Sequence, residues 1–142
     1  MKITVKAALE MLQAIAQLDS YHNGAEKPTL YKYGGDTRLK IAIARRKLRA
    51  IQEDYTDARN AMLLELTDGS GDLPSITSGD DPAERKRVVG LHMEFDKRER
   101  ELQRAMIEID VEPVSVDRFK LDENPIPATV LDMLGEFIDA RS

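Results

Sequence analysis

Apolar residues recur along the chain at two periods, and the elements change where the period changes. Over residues 5–18, Val5, Ala8, Leu9, Leu12, Ile15 and Ala16 fall at helical spacing, with Glu10, Gln13 and Gln17 opposite. This predicts a first helix. Thr4 is placed to cap it, because its hydroxyl can accept from a free amide of the first turn. Met11 and Leu18 widen the apolar surface, so the helix is expected to meet more than one neighbour. Between Arg38 and Leu66 the steps alternate between three and four residues: Ile41, Ala44, Leu48, Ile51, Tyr55, Ala58 and Met62. That spacing is one seam on one long helix, begun at Asp36 or Thr37 and free of Gly and Pro until Gly69. At about 1.5 Å per residue, Arg38–Leu66 would extend roughly 43 Å. Ala44 and Ala58 thin the seam at two levels and predict close approach of a partner helix. A second seam follows at Val88, Leu91, Phe95, Arg98, Leu102, Ala105 and Ile109. It predicts a third helix to about Ile109. Its start is Asp81-Pro82-Ala83-Glu84, with an acceptor at the cap, Pro in the first turn and Glu two positions on.

The segments between are punctuated. Residues 19–36 form a connector carrying Asn23-Gly24, Pro28 and Gly34-Gly35, within which Leu30–Tyr33 reads as a short strand. Residues 67–80 are rich in Gly, Ser, Asp and Thr and predict a flexible loop, longer than the two to eight residues usual between helices. After Pro113 the period becomes two, at Val114 and Val116 and again at Phe119 and Leu121, with a slip at Asp117-Arg118. This segment is expected to pair with Leu30–Tyr33. Asn124-Pro125-Ile126-Pro127 turns a corner, and Val130, Leu131, Leu134, Phe137 and Ile138 lie on one face of a last helix. The predicted fold is mainly α, marginally α+β. It is a single domain over 1–142, built on a long antiparallel hairpin with a short N-terminal helix, a minor β element and a C-terminal helix.

Charge gives the hairpin a direction. Arg38, Lys40, Arg45, Arg46, Lys47 and Arg49 occupy residues 38–49 with no acid among them, whereas Glu53, Asp54, Asp57, Glu65 and Asp68 face a single Arg59. The third helix runs the other way, from Arg85, Lys86 and Arg87 to Glu108, Asp110 and Glu112. Antiparallel folding sets basic against acidic at both ends, and parallel folding would set like against like. Arg98 lies in the second seam, where it either snorkels past or pairs with an acid such as Asp54. Leu39 and Ile43 at one end of the long helix, and Leu63, Leu64 and Leu66 at the other, lie off its seam. The first or last helix is expected to cover them, and their excess over what one partner can cover predicts a homo-oligomer.

The 142 residues are 42% apolar and 33% charged, a globular composition, with a net charge of −5 that disfavours bulk attraction to nucleic acid or anionic membrane. Without Cys there is no disulfide or thiolate chemistry. Glu10, Gln13 and Gln17 interrupt any signal-peptide core, and no apolar run reaches a membrane span, so a cytoplasmic protein is expected. His22 and His92 lie in separate elements, and no metal or cofactor is expected. No P-loop, dinucleotide fingerprint or nucleophile elbow is present. Gly34-Gly35-Asp36-Thr37 reads as a turn and cap, since Asp36 opposes an anion, and Asp68–Asp72 lacks the acids of a calcium loop.

The basic run remains as the candidate surface, with Arg98 beside it. One further pattern places it. Ala8-Leu9-x-x-Leu12-x-Ala14-Ile15-x-x-Leu18-Asp19 is followed by Thr37-Arg38-Leu39-x-Ile41-Ala42-x-x-x-Arg46-x-Leu48-Arg49. Val114-Ser115-Val116 and Ile126-Pro127-x-x-Val130-Leu131-x-x-Leu134 complete it. This resembles small uncharacterised helical proteins encoded in tailed-bacteriophage and prophage genomes. The resemblance implies a phage setting, in the host cytoplasm or the virion, and brings no catalytic residue. The expected function is non-enzymatic: contact with a protein partner, itself included. It would serve as a virion or assembly accessory or as a binder of a host or defence factor. The alternative is a small nucleic-acid-binding regulator using Arg45, Arg46, Lys47 and Arg49.

Overall fold

Helical spacing is realised over most of the chain. The computed structural model describes residues 1–24, 27–75 and 81–140. Six short strands and four helices follow in the order β1 (Lys2–Thr4), α1 (Val5–Ile15), β2 (Ser20–Tyr21), β3 (Thr29–Leu30), α2 (Gly35–Leu66), α3 (Pro82–Arg104), β4 (Met106–Glu108), β5 (Val114–Ser115), α4 (Ala128–Leu134) and β6 (Ile138–Asp139). The fold is mainly α with minor β, and it divides into two compact units, Met1–Gln52 with Met106–Ser142, and Glu53–Ala105.

In the first unit, α1 is capped as its sequence requires: the Ala7 amide donates to Thr4 Oγ1 at 3.0 Å. Its apolar residues Val5, Ala8, Met11, Leu12 and Ile15 are buried, largely against α4. The helix stops at Ile15 rather than 18, and Leu18 is buried on the turn that follows. The core gathers Leu18, Tyr31, Ile41, Ala44, Leu48, Phe119, Leu134 and Phe137. Five of the chain's seven aromatic rings form a run through it. Tyr21 stacks on Tyr31 at 4.9 Å, Tyr31 lies 6.0 Å from Tyr33, and Phe119 meets both Tyr33 and Phe137 edge-on at 6.3 Å. Such pairs contribute about 0.5–1.5 kcal/mol each beyond burial. They compensate for strands too short to hold the unit by ladders alone.

The strands pair differently from the sequence expectation. Leu30 joins Ser20 in an antiparallel β2–β3 pair, and β5 runs parallel to β6, with Val114 opposite Ile138. The expected sheet between Leu30–Tyr33 and the segment after Pro113 does not form. Phe119 ends a 3-10 turn, Val116–Phe119, instead of standing in a strand. A side chain makes the link in its place. Buried Asn124 accepts from the Lys32 amide at 2.7 Å and donates to the Lys32 and Phe119 carbonyls at 2.9 and 2.7 Å. The third helix ends at Arg104, not Ile109, because 106–108 leaves the helix to pair with β1, setting Ile3 opposite Ile107. The last helix ends at Leu134, where Gly135 adopts φ 52°, and Ile138 belongs to β6.

In the second unit the two long helices run antiparallel. Gln103 Nε2 donates to Tyr55 Oη at 3.1 Å, Arg59 Nε pairs with Glu99 at 2.9 Å, and Arg98 reaches Glu65 at 3.6 Å. Numbers rise on α2 as they fall on α3. The seam on α3 holds from Val88 to Leu102, with Val88 and Phe95 buried and Leu91, Arg98 and Leu102 half-buried, and is lost at Ala105, which is exposed beyond the helix end. The seam on α2 drifts. Ala58 is exposed, and Arg59 takes the facing position, its guanidinium 5.0 Å from the centre of the Phe95 ring. A straight helix repeats every 3.6 residues, so a 3.5-residue seam slides off the contact line within a few turns. The close approach expected at Ala58 is therefore absent. Pro82 opens α3 as expected, but Asp81 makes no capping bond, and Glu84 pairs instead with Arg87 at 2.5 Å. That bond holds Glu84 below the ordinary carboxylate range. Past α2, Thr67 Oγ1 accepts from the Gly71 amide at 2.8 Å, and His92 Nε2 lies 2.7 Å from the Pro74 carbonyl. Residues 76–80 of the expected 67–80 loop lie outside the described residues.

Candidate interaction surface

Six cations in twelve residues would repel one another on a solvated helix, and the fold disposes of most of them. Arg38 donates through Nη2 to the Tyr31 carbonyl, and its guanidinium stands 5.4 Å from the centre of the Tyr33 ring. Lys40 pairs with Glu112 at 3.6 Å. Arg45 pairs with Asp19 at 2.7 Å. Lys47 donates to the Asp110 carbonyl at 2.5 Å and lies 3.4 Å from its carboxylate. Asp110 and Glu112 therefore meet the basic half of α2 as the charge pattern requires, but from the segment after α3, while Glu108 pairs with the N-terminal amine. The side chains of Arg46 and Arg49 are left exposed, with no hydrogen bond or ion pair among the described residues.

Helix geometry explains this sorting. At about 100° per residue, Lys40 and Lys47 lie along one flank of the buried line Ile41–Ala44–Leu48, and Arg38 and Arg45 along the other. Arg46 projects from the opposite side, and Arg49 stands at its edge, next to the Arg38 flank. Lys40, Ile43, Ala44 and Lys47 also line a cleft of about 210 Å³ closed by residues 110–112. That is below the ~300 Å³ at which small-molecule sites begin, and two ion pairs already bridge it. Burial raises the phenols of Tyr31 and Tyr33, and the Tyr33 oxygen is buried without a hydrogen-bond partner among the described residues.

Arg98 is not part of this surface. It lies on α3 in the second unit, bonded to Glu94 at 2.9 Å and near Glu65, not Asp54. The Glu94 hydrogen bond pushes its guanidinium further up. The remaining site residues, Arg38, Arg45, Arg46, Lys47 and Arg49, share α2 but not one role, since only Arg46 and Arg49 are available to a partner.

Apolar residues share their face. Leu39 is 61% exposed, Ala42 and Ala50 are exposed, and Ile43 is half-buried. In the second unit, α2 likewise exposes Glu53, Asp54, Asp57, Ala61 and Leu64, the last at 48%, and the three acids have no partner among the described residues. Neither α1 nor α4 covers Leu39, contrary to expectation. The sequence signal for this surface is a second set of positions at alternating steps of four and three, from Leu39 to Leu64, overlooked beside the stronger buried seam. Among the described residues, no helix is long and apolar enough to cross a membrane, and no group of three or more His, Asp or Glu could hold a metal ion. No protein-family model, curated protein or solved structure matches the chain.

Proposed function

We propose that this is a phage-encoded, non-enzymatic protein that acts by protein–protein contact in the host cytoplasm or in the virion. It would be an accessory of the particle or its assembly, or a binder of a host or defence factor. The observation that carries this is the face of α2 in the first unit. Leu39, Ala42 and Ile43 lie there beside Arg46 and Arg49, whose side chains have no partner among the described residues. An apolar patch with arginines at its edge is the composition that protein interfaces favour. The phage setting rests on the resemblance of the helical and basic positions described above.

Binding to nucleic acid is less well supported. Two free arginines neutralise about two phosphates, which corresponds to a salt slope of only about −1.8 on duplex DNA. A gel-shift titration across salt is expected to show no complex beyond this weak one, with its shallow salt slope. The main test is a photo-crosslinking residue at Ala42 in infected cells. A protein adduct, to this chain or another, is expected. An adduct removed by nuclease would overturn the proposal.

A further inference from the structure

The exposed side of α2 carries its own complement. We propose that two copies of the chain associate through α2, antiparallel, the basic stretch of each against the acidic stretch of the other. This rests on the protein acting by protein contact and names the surface and one partner.

The helix is continuous from Gly35 to Leu66. Leu39, Ile43, Arg46, Ala50, Glu53, Asp57, Asn60 and Leu64 follow one another at steps of four and three, so they share a stripe away from buried Ile41, Ala44 and Leu48. All are exposed except half-buried Ile43. Leu39 and Leu64, the exposed large apolar residues of α2, stand at the two ends. Cations occupy the first half and acids the second, and the side chains of Arg46, Arg49, Glu53, Asp54 and Asp57 have no partner among the described residues.

Laid antiparallel on a second copy, the stripe matches itself. Leu39 meets Leu64, Arg46 meets Asp57, and Ile43 meets Asn60 with Ala61 beside it. Ala50 meets Glu53 at the centre, where the small side chain lets the helices approach. Every pair has the same midpoint, between Ile51 and Gln52, where a two-fold axis would cross, so each contact is made twice. Parallel pairing would set Arg46 on Arg46 and Asp57 on Asp57. A different protein would have to supply both the acids and the leucine spacing that this chain already holds.

The test is sedimentation velocity on the full chain over a micromolar concentration series. A dimer that weakens with added salt is expected. Arg46→Glu and Asp57→Arg are each expected to weaken it at least about tenfold, since each turns two attractions into repulsions. Mixing the two variants, or combining them in one chain, restores the opposite-charge contacts and should restore the dimer. Circular dichroism checks that these exposed substitutions leave the helices intact. A monomeric wild type overturns the inference, as do a dimer indifferent to both swaps and a loss without rescue. A monomer that still crosslinks to another protein through Ala42 overturns only the self-pairing. A nuclease-sensitive adduct overturns the functional proposal instead.

Discussion

Asn124 is the polar side chain on which the first unit most depends. It is 2% exposed and replaces the missing strand pairing by binding both backbone groups of Lys32 and the carbonyl of Phe119. Asn124→Ala leaves one amide and two carbonyls without these partners. At about 1 kcal/mol for each net hydrogen bond, the cost is about 3 kcal/mol, against a total stability on the order of 5–15 kcal/mol for a domain. For a chain of this size that lowers Tm on the order of 10 °C. Asn124→Asp separates donors from acceptors. It keeps the bond from the Lys32 amide but turns a carboxylate toward two carbonyl oxygens. The folded state then favours the protonated acid, so its carboxyl rises above the unfolded value of about 3.9. A group raised on folding contributes its stability fully below the unfolded value and loses it as pH rises through the folded one. The aspartate variant should therefore approach wild type near pH ~4 and fall behind it toward pH ~7. Urea melts followed by far-UV circular dichroism at each pH measure both effects. An alanine variant within about 0.5 kcal/mol of wild type would refute the reasoning, and so would an aspartate variant whose deficit is the same at every pH.

Arg59→Ala removes both the Phe95 contact and the 2.9 Å Glu99 pair. It should destabilise the α2–α3 pairing by about 1 kcal/mol after solvent screening, measured as faster amide exchange along α3. Arg59→Lys should recover only part, because an ammonium lacks the planar face that stacks on a ring. Gly135 and Gly90 should respond oppositely to alanine. At Gly135, φ 52° and ψ −123° suit glycine, and alanine should cost about 1–2 kcal/mol. At Gly90, inside α3 with nothing within 4 Å of an added Cβ, it should stabilise by up to about 1 kcal/mol. Thermal melts compare the two. In a spectrophotometric titration, Tyr31 and Tyr33 should ionise later than an ordinary tyrosine, because burial raises both. Their stabilising contribution is complete below about pH 10 and lost as pH climbs through the raised values. Four phenols ionising together near pH ~10 would contradict this.

Much of the helical frame was legible because each long helix announces itself by period over several turns. The strands were not legible because they are two or three residues long, too short for alternation to register. Met106–Glu108 continued the α3 seam in phase and read as helix, yet its pairing with Lys2–Thr4 prevailed. Nothing near 106 in sequence could report a partner more than a hundred residues away. Phe119 and Leu121 alternated like strand residues, but Phe119 is fully buried among rings from a 3-10 turn, an arrangement with no period of its own. Asn124 stood in a corner before proline, where its local role as a turn residue concealed its bonds to Lys32.

The charges on α2 show what a pattern reading can and cannot assign. Counting signs along the sequence correctly set residues 38–49 against the acids at 110–112, because Lys40 and Lys47 flank the buried line and reach Glu112 and Asp110. The same count treated Arg46 and Arg49 as equivalent to them, although helix geometry turns Arg46 to the other side and leaves Arg49 exposed at its edge. That side also bears Leu39 and Ile43, and further along the helix, Glu53, Asp57 and Leu64. A helix whose buried seam weakens after Ile51, and whose opposite side keeps heptad spacing with apolar ends and sorted charges, has two sides organised for contact. One is satisfied within the chain. On the other, the proposed self-pairing would set the exposed leucines together and bring the basic stretch against the acidic stretch of a reversed copy.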